Sequence, residues 1–425
     1  MENRASKKPL KVLIIDEEVP YPPDAGKRIR TWNLLNSLAQ KHHVHLLCYG
    51  RDQDSSSIAL RSAGIALHLV NPLQESTGFS LYLRLMANLF SPYPFSVTKH
   101  YSSSFRRAFN DLQENGHWDL IHCEWTPYAR FFSSRRTTPT LIATHNVESQ
   151  IWRRRAECSK NFLERIFFGL QEAKMLWFER RALRRATAVT AVTEADAESM
   201  RKWGAHAVTV VPNGVDLAMY LGITDQNQVE SEILSVASLD WFPNIDAIEY
   251  FVNEIFPSIR KALPNIVFRI VGRRPTESLR AKLSAVPGID FVGEVKDVRS
   301  YLDRAAVIVV PLRIGGGSRL KILEALAAGK AVVSTSVGAE GLDLNPGKDV
   351  LIADSPHDFA RGVINLLLAK AARRELGANG RKLVTEKYGW DEIGRRLEAV
   401  WLETAGQQQA CELVRAPARE SYARS

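Results

Sequence analysis

Cysteine is scarce: the 425-residue chain has four, Cys48, Cys123, Cys158 and Cys411, far apart and with no CxxC pair. That excludes a disulfide scaffold and a thiolate metal cluster. Isolated thiols in a chain of this length read as reduced packing residues of a cytoplasmic protein. No apolar run reaches roughly 18 residues, so no membrane-spanning helix is expected. The opening MENRASKK followed by LKVLII is too short for a signal-peptide core and lacks a small-residue cleavage site. No GxGxxG occurs, which weakens a dinucleotide oxidoreductase. No Walker loop occurs either: Gly341 to Gly347-Lys348-Asp349 has the wrong spacing and an Asp at the hydroxyl position. His42, His43 and His45 cluster without a Cys or carboxylate at ligand spacing, so no metal site is predicted. Acidic residues are outnumbered, 47 Asp+Glu against 56 Lys+Arg, for a net +9. Such an excess suits a nucleotide, an anionic lipid or nucleic acid. With no groove-binding, RNP-type or zinc signature, nucleic acid is set aside.

What the chain does have is a succession of short, nearly continuous Val/Ile/Leu runs. They are Lys11–Asp16, Val44–Gly50, Ile65–Val70, Trp118–Glu124, Leu141–Asn146, Ala188–Thr193 and Val208–Val211, then Ile233–Ser238, Ile266–Gly272, Ile289–Gly293, Ala306–Leu312, Ala331–Val337 and Val350–Ala353. Runs without polar alternation predict strands covered on both faces, as in parallel sheets. Helical stripes lie between most of them, such as Ile29, Trp32, Asn33, Leu35 and Leu38. Two such sets predict two doubly wound α/β domains. The turn cluster Pro212-Asn213-Gly214-Val215-Asp216 and the polar stretch Asp225–Glu232 mark the boundary. The expected domains are 1–216 and 231–385, with a last helix over 386–402 and a disordered polar tail over 403–425. Strand C-termini of such sheets are where ligands bind.

The most informative segment runs from strand Val309–Leu312 through Gly315-Gly316-Gly317-Ser318 into a helix carrying Arg319, Lys321 and Glu324. Glycines let the backbone approach a ligand closely, and a helix start offers unpaired N–H groups. Cations at that end oppose the helix dipole by roughly 0.3–1 kcal/mol each, so a bound anion would explain Arg319 and Lys321. Glu324 could take two ribose hydroxyls. The structural alternative is a plain turn with an exposed Lys321–Glu324 pair. Gly26, opening a helix after the first strand, is the corresponding position of the first domain, as a turn or a phosphate contact.

At these residues the chain resembles a retaining GT-B glycosyltransferase of family 4, over roughly residues 10–402. The resemblance rests on Asp24-Ala25-Gly26, Thr144-His145-Asn146, Val192-Thr193-Glu194, Pro212–Asp216, Gly315–Gly329 and Tyr388-Gly389-Trp390. Pro243-Asn244 together with Gly315–Lys321 is similar to the branch of sugar transferases associated with PEP-CTERM exopolysaccharide loci. The resemblance implies two Rossmann-like domains facing across a cleft. It implies transfer of a sugar from a nucleotide diphosphate-sugar donor to a glycan or lipid-linked acceptor, without metal or other cofactor. His145, Arg319 and Lys321 are the implied catalytic residues. Gly26, Gly316, Gly317, Arg319, Lys321 and Glu324 are the implied donor contacts, and Gly293–Asp297 the base-contacting segment. Two features depart from the family. The first Glu of its E-x7-E pattern is Gly316 here, and its Arg/Lys pair falls near Ser238 and Pro243 and is absent. Arg319 and Lys321, joined by Arg313, are the expected replacements for that charge. A nucleotide-sugar epimerase of the same fold and a non-catalytic nucleotide-binding module remain alternatives.

Residues 151–185 hold ten Lys/Arg and four Asp/Glu, most of the net excess. Leu163, Ile166, Phe167, Leu170, Ala173 and Trp177 follow helical spacing there, and Phe79–Phe95 is a second apolar stretch whose one charge is Arg84. Two readings stand: a core-facing helix with a solvated basic face, or peripheral attachment to an anionic membrane at its inner face. Asp52-Gln53-Asp54 reads as loop, not as a metal-binding DxD.

Overall fold

In the computed structural model, residues 8–24, 26–73, 78–132, 138–159, 161–224, 226–314 and 320–415 are described. Among them the apolar runs become thirteen strands in two parallel sheets. The first sheet contains β1 (Lys11–Glu18), β2 (His43–Tyr49), β3 (Ala66–Val70), β4 (Leu120–Cys123), β5 (Thr140–Ala143), β6 (Ala188–Ala191) and β7 (Val208–Val210), in the order β3-β2-β1-β4-β5-β6-β7. The second contains β8 (Val229–Val236), β9 (Val267–Val271), β10 (Ile289–Gly293), β11 (Ala305–Val310), β12 (Ala331–Ser334) and β13 (Leu351–Ile352), in the order β10-β9-β8-β11-β12-β13. These are two Rossmann-like α/β units.

Burial on both faces explains the unbroken apolar runs. Val12, Leu13, Ile14 and Ile15 of β1 are fully buried, and every residue of β4, β5 and β11 is buried. Each such Val, Leu or Ile contributes roughly 1.5–3 kcal/mol relative to exposure. In each sheet the order reverses beside the first strand of its unit, between β1 and β4 and between β8 and β11. The crevice beyond the strand C-termini at such a reversal is the natural ligand position. Register sharpens this in the first sheet: Ile15 pairs Cys123, so the next residues, Asp16 and Glu124, leave the two strands side by side.

One unit comprises residues up to Val211 together with those from Gly394 on, and the other Pro212–Ile393. Two motifs distant in sequence meet in the second unit. Val215 N–H donates to the Tyr388 carbonyl at 2.8 Å, and Val215 bridges Gly389. A Cβ on Gly214 would stand 2.7 Å from the Trp390 ring, which is why the turn needs glycine there.

Three expectations change. Residues 229–232, polar enough to read as linker, belong to β8, because buried Glu232 takes a hydrogen bond from Arg269 at 3.2 Å. The last helix runs from Trp390 to Arg415, beyond the expected start of a disordered tail at 403, since no proline interrupts it. Finally, of the two readings of the Phe162–Arg185 helix, the core-facing one does not hold for much of its stripe. Phe162, Leu163, Ile166, Leu170 and Trp177 are exposed. So are Phe79, Tyr82, Leu83 and Met86 on the Gly78–Leu89 helix, and Phe90 just after it. The two helices are clipped together by Gln171 Nε2 donating to Asn88 Oδ1 at 2.9 Å and by Lys174 Nζ donating to the Asn88 carbonyl at 2.8 Å. No helix among the described residues is long and apolar enough to cross a membrane.

Candidate active site

The ends of β1, β4 and β5 carry a buried polar cluster. Lys27, in the Gly26–Ala39 helix, places Nζ 2.6 Å from Asp16 Oδ1 and 3.2 Å from Glu17 Oε2. Its ammonium also lies 4.8 Å from the Trp125 ring centroid. Burial works against that charge, but Asp16 and Glu17 raise the Lys27 pKa above its ordinary value. Burial raises Asp16, with Lys27 opposing. Glu17 is held below its ordinary value: burial pushes it up, but Lys27 and His100, whose Nδ1 is 3.3 Å away, outweigh that.

Glu124, 2% exposed, sits at the middle. His122 Nε2 lies 3.1 Å from its Oε2, the Thr31 hydroxyl donates to Oε1 at 3.2 Å, and His145 Nε2 lies 3.4 Å from Oε1. Burial opposes ionisation, yet the two imidazoles hold the carboxyl well below the usual carboxylate range. His122 in turn accepts at Nδ1 from Trp401 Nε1 at 3.2 Å. His145, two residues beyond β5, donates from Nε2 to the Glu124 carbonyl at 2.7 Å. Beyond it, Glu148 accepts from Trp125 Nε1 at 2.9 Å and is raised by burial. Glu179 receives the backbone N–H groups of Glu148 and Ser149 at 2.8 and 3.2 Å, holding the start of the Glu148–Cys158 helix. Burial pushes Glu179 up to about 8.

In the second unit, the ends of β8 and β9 and the helix after β11 converge. Lys321 Nζ donates to Asn244 Oδ1 at 2.8 Å, and Asn244 Nδ2 to the Ser238 carbonyl at 2.8 Å. Arg273, two residues past β9, donates from Nε to Ser238 Oγ at 3.0 Å. Two cations thus reach the segment from Ser238 to Asn244. Glu324 is partly buried in the Leu320–Ala327 helix. Burial pushes it up to about 7, against the Tyr220 hydrogen bond and the Lys321 charge.

The structure brings Lys321 and Glu324 to the end of the second sheet, and His145 and Gly26 to that of the first, where Gly26 is the exposed first residue of its helix. Gly316, Gly317 and Arg319 lie outside the described residues. Arg313 is a correction. It makes a bidentate pair with Asp246, Nη2–Oδ1 2.7 Å and Nε–Oδ2 3.1 Å, and stacks 4.3 Å from the Tyr250 centroid. Its charge is used there, and the guanidinium that reaches Ser238 is Arg273. Asp16, Lys27, Glu124, Arg273 and Tyr220 were not singled out from sequence. A usable signal existed for two of them: Asp16 and Glu124 are acids closing otherwise apolar runs, where ligand-facing residues of parallel sheets belong.

Two family models match, "Glycosyl transferase 4-like domain" over residues 26–214 and "Glycosyl transferases group 1" over residues 230–369. The chain is similar to an uncharacterized 44.6 kDa protein in the cps region of Klebsiella pneumoniae, 21% identical over 89% of this chain and 96% of that one. An MMP alpha-(1->4)-mannosyltransferase of Mycolicibacterium hassiacum is 25% identical over 48% of this chain and 50% of its own. Among solved structures, sucrose-phosphate synthase of Thermosynechococcus elongatus superposes with a TM-score of 0.68 at 17% identity, covering 94% of this chain and 100% of that one. Anabaena HepE, solved with UDP and glucose, superposes with a TM-score of 0.60 at 13% identity over 92% and 99%. The solved structures share the fold, the two family models between them take in both sheets, and on these grounds the chain belongs to the GT-B glycosyltransferases.

Proposed function

We propose that this glycosyltransferase is a retaining enzyme of family 4, of hexosyltransferase type. In this reading it moves a sugar from a nucleotide diphosphate-sugar to a glycan or lipid-linked acceptor without a metal. The observation that carries the reading is the pair Lys321 and Arg273, held by Asn244 and Ser238 at the strand ends of the second sheet. There they meet the diphosphate, with Glu324 on the ribose hydroxyls. Leaving-group charge develops on the diphosphate, and fixed cations stabilise it most as the bond breaks. The leaving phosphate then takes the acceptor proton on the same face, which preserves the anomeric configuration. His145 meets a sugar hydroxyl. HepE with UDP and glucose, and curated relatives named as GDP-mannose-dependent mannosyltransferases, support a nucleotide-sugar donor. The relative named for the cps region supports a role in exopolysaccharide or cell-surface glycan synthesis, as does the resemblance to the PEP-CTERM-associated branch.

A panel of UDP-, GDP- and ADP-sugars, assayed with EDTA present, tests this. Transfer or hydrolysis with retained configuration is expected. Conversion of the donor alone would identify an epimerase, and nucleotide binding without turnover a non-catalytic module.

A second reading concerns location: cytoplasmic, with the paired helices resting on the inner face of an anionic membrane. The exposed Phe79, Tyr82, Phe90, Leu163, Ile166 and Trp177, with basic residues around them, support it. Flotation with phosphatidylserine-containing liposomes is expected at physiological salt, and Phe90→Ser with Leu163→Glu should abolish it. Absence of flotation by the native chain overturns the reading.

A further inference from the structure

The segment that leads into the second sheet is anchored at several points. Val215 is tied to Tyr388 and Gly389, and Asp216 Oδ1 accepts the Ala218 N–H at 3.0 Å, capping the short helix Leu217–Tyr220. Arg381 Nη2 donates to the Tyr220 carbonyl at 2.6 Å. Tyr220 is 4% exposed and belongs to the same apolar cluster as Leu323, Leu326 and Leu383. Its backbone and ring are thus fixed by groups other than its hydroxyl.

The hydroxyl has a partner of its own, the Glu324 side chain, with which it forms a hydrogen bond. Burial and the neighbouring carboxyl raise the phenol above its ordinary value, so at neutral pH the hydroxyl keeps its hydrogen and donates it to the ionised carboxylate. Lys321, on the helix of Glu324, and Asp216 and Arg299, on the side of Tyr220, are the charges that bear on this pair. Lys321 Nζ is held by Asn244 and supplies charge, whereas Tyr220 supplies a directed hydrogen. An ionised carboxylate offers about four lone-pair positions. Tyr220 takes one, which leaves enough for the two neighbouring hydroxyls of a ribose.

We infer that Tyr220 is a positioning residue for the nucleotide site, its hydroxyl bonding the Glu324 carboxylate and holding it as the acceptor of the ribose hydroxyls. The ribose rests on the sugar-transfer reading above, whereas the tie between Tyr220 and Glu324 does not. A Tyr220 that served packing alone would need its ring and not its oxygen. Burial disfavours the Glu324 charge, and losing the hydroxyl removes one of the two groups that oppose burial.

Tyr220→Phe keeps the ring and removes the oxygen. Whichever of UDP, GDP and ADP the wild type binds most tightly is titrated calorimetrically into both proteins from pH 6 to pH 9. The variant should bind about tenfold more weakly at pH 6 and within about twofold of wild type at pH 9, its midpoint moved up by about one unit. The nucleotide's own phosphate titration is common to both proteins and cancels in the ratio. An unchanged profile overturns the inference, and so does a loss equal at every pH, which is what damaged packing gives. In a Glu324→Gln background Tyr220→Phe should add no pH-dependent loss. Site-specific 3-fluorotyrosine at position 220 keeps ring and hydroxyl and makes the hydroxyl a stronger donor, so the midpoint should move down. A midpoint that stays or rises overturns the inference even where the phenylalanine variant does not fold. If the wild type binds none of the three nucleotides, the sugar-transfer reading fails and the ribose assignment with it. Carbon NMR of glutamate-labelled protein then decides the tie alone. The carboxyl signal missing in Glu324→Gln should titrate at lower pH with 3-fluorotyrosine and at higher pH in Tyr220→Phe, and an unmoved titration overturns it.

Discussion

The two sheets share a topology and end in opposite chemistry. At the end of the first sheet acids outnumber cations. Asp16, Glu17 and Glu124 are buried or partly buried, and Lys27 is tied to two of them. At the end of the second, Lys321 reaches the Asn244 amide and Arg273 the Ser238 hydroxyl, with Glu324 and Asp240 near enough to feel their charges. The fold offers the same strand-end position twice, and the side chains set there differ.

This contrast can be broken from either side. The largest effect is expected from Lys27→Met, which leaves Asp16 and Glu17 without their cation. Removing one partner of a buried pair costs about 3–5 kcal/mol, so the urea midpoint should drop sharply. Unchanged stability would sink the claim that Lys27 is structural. Next come Lys321→Ala and Arg273→Ala. Each should cost about 2.7–4 kcal/mol of barrier, seen as a fall in kcat with the fold intact by circular dichroism. Near wild-type turnover in both would remove these cations from the phosphate site.

A smaller effect concerns pH. Glu324, pushed up to about 7, must ionise to accept two ribose hydroxyls. Nucleotide affinity should weaken as pH falls below about 7, by up to tenfold per unit, and Glu324→Gln should flatten that limb in calorimetric titrations. Stability runs the other way. A folded pKa raised from 4.5 to about 7 gives a contribution fully present below 4.5 and lost as pH rises through 7. The ionised form that binds is the one that weakens the fold. The smallest effect belongs to Arg313→Ala, about 0–1 kcal/mol in stability with kcat unchanged, because its pair with Asp246 is half-exposed.

Much of this was legible in sequence because it is local. Each of the thirteen strands overlaps an apolar run, and the helix holding Lys321 and Glu324 follows from the spacing of Leu320, Leu323 and Ala327. What escaped depends on distant partners. Arg273 reaches Ser238 from the end of the neighbouring strand, 35 residues along the chain, and nothing in Gly272-Arg273-Arg274-Pro275 distinguishes it from a solvated cation. Arg313 looked equally free, and only the fold shows Asp246 and Tyr250 taking it up. Polarity misled at residues 229–232, where Glu232 is compatible with a buried strand because Arg269 is beside it. Exposure of the Phe162–Arg185 stripe was equally illegible, since helical spacing says that an apolar face exists and not what covers it.

Trp401 has a consequence for the order in which the molecule becomes competent. The first sheet is complete once β7 has been made, yet the indole that orients His122 belongs to the last helix. Another 190 residues separate Val211 from Trp401, about 10–40 s of synthesis at ordinary ribosome speeds. Through that interval the nascent first sheet lacks the donor that orients His122 beside Glu124. The wiring of the site therefore closes only after the whole second sheet has been made.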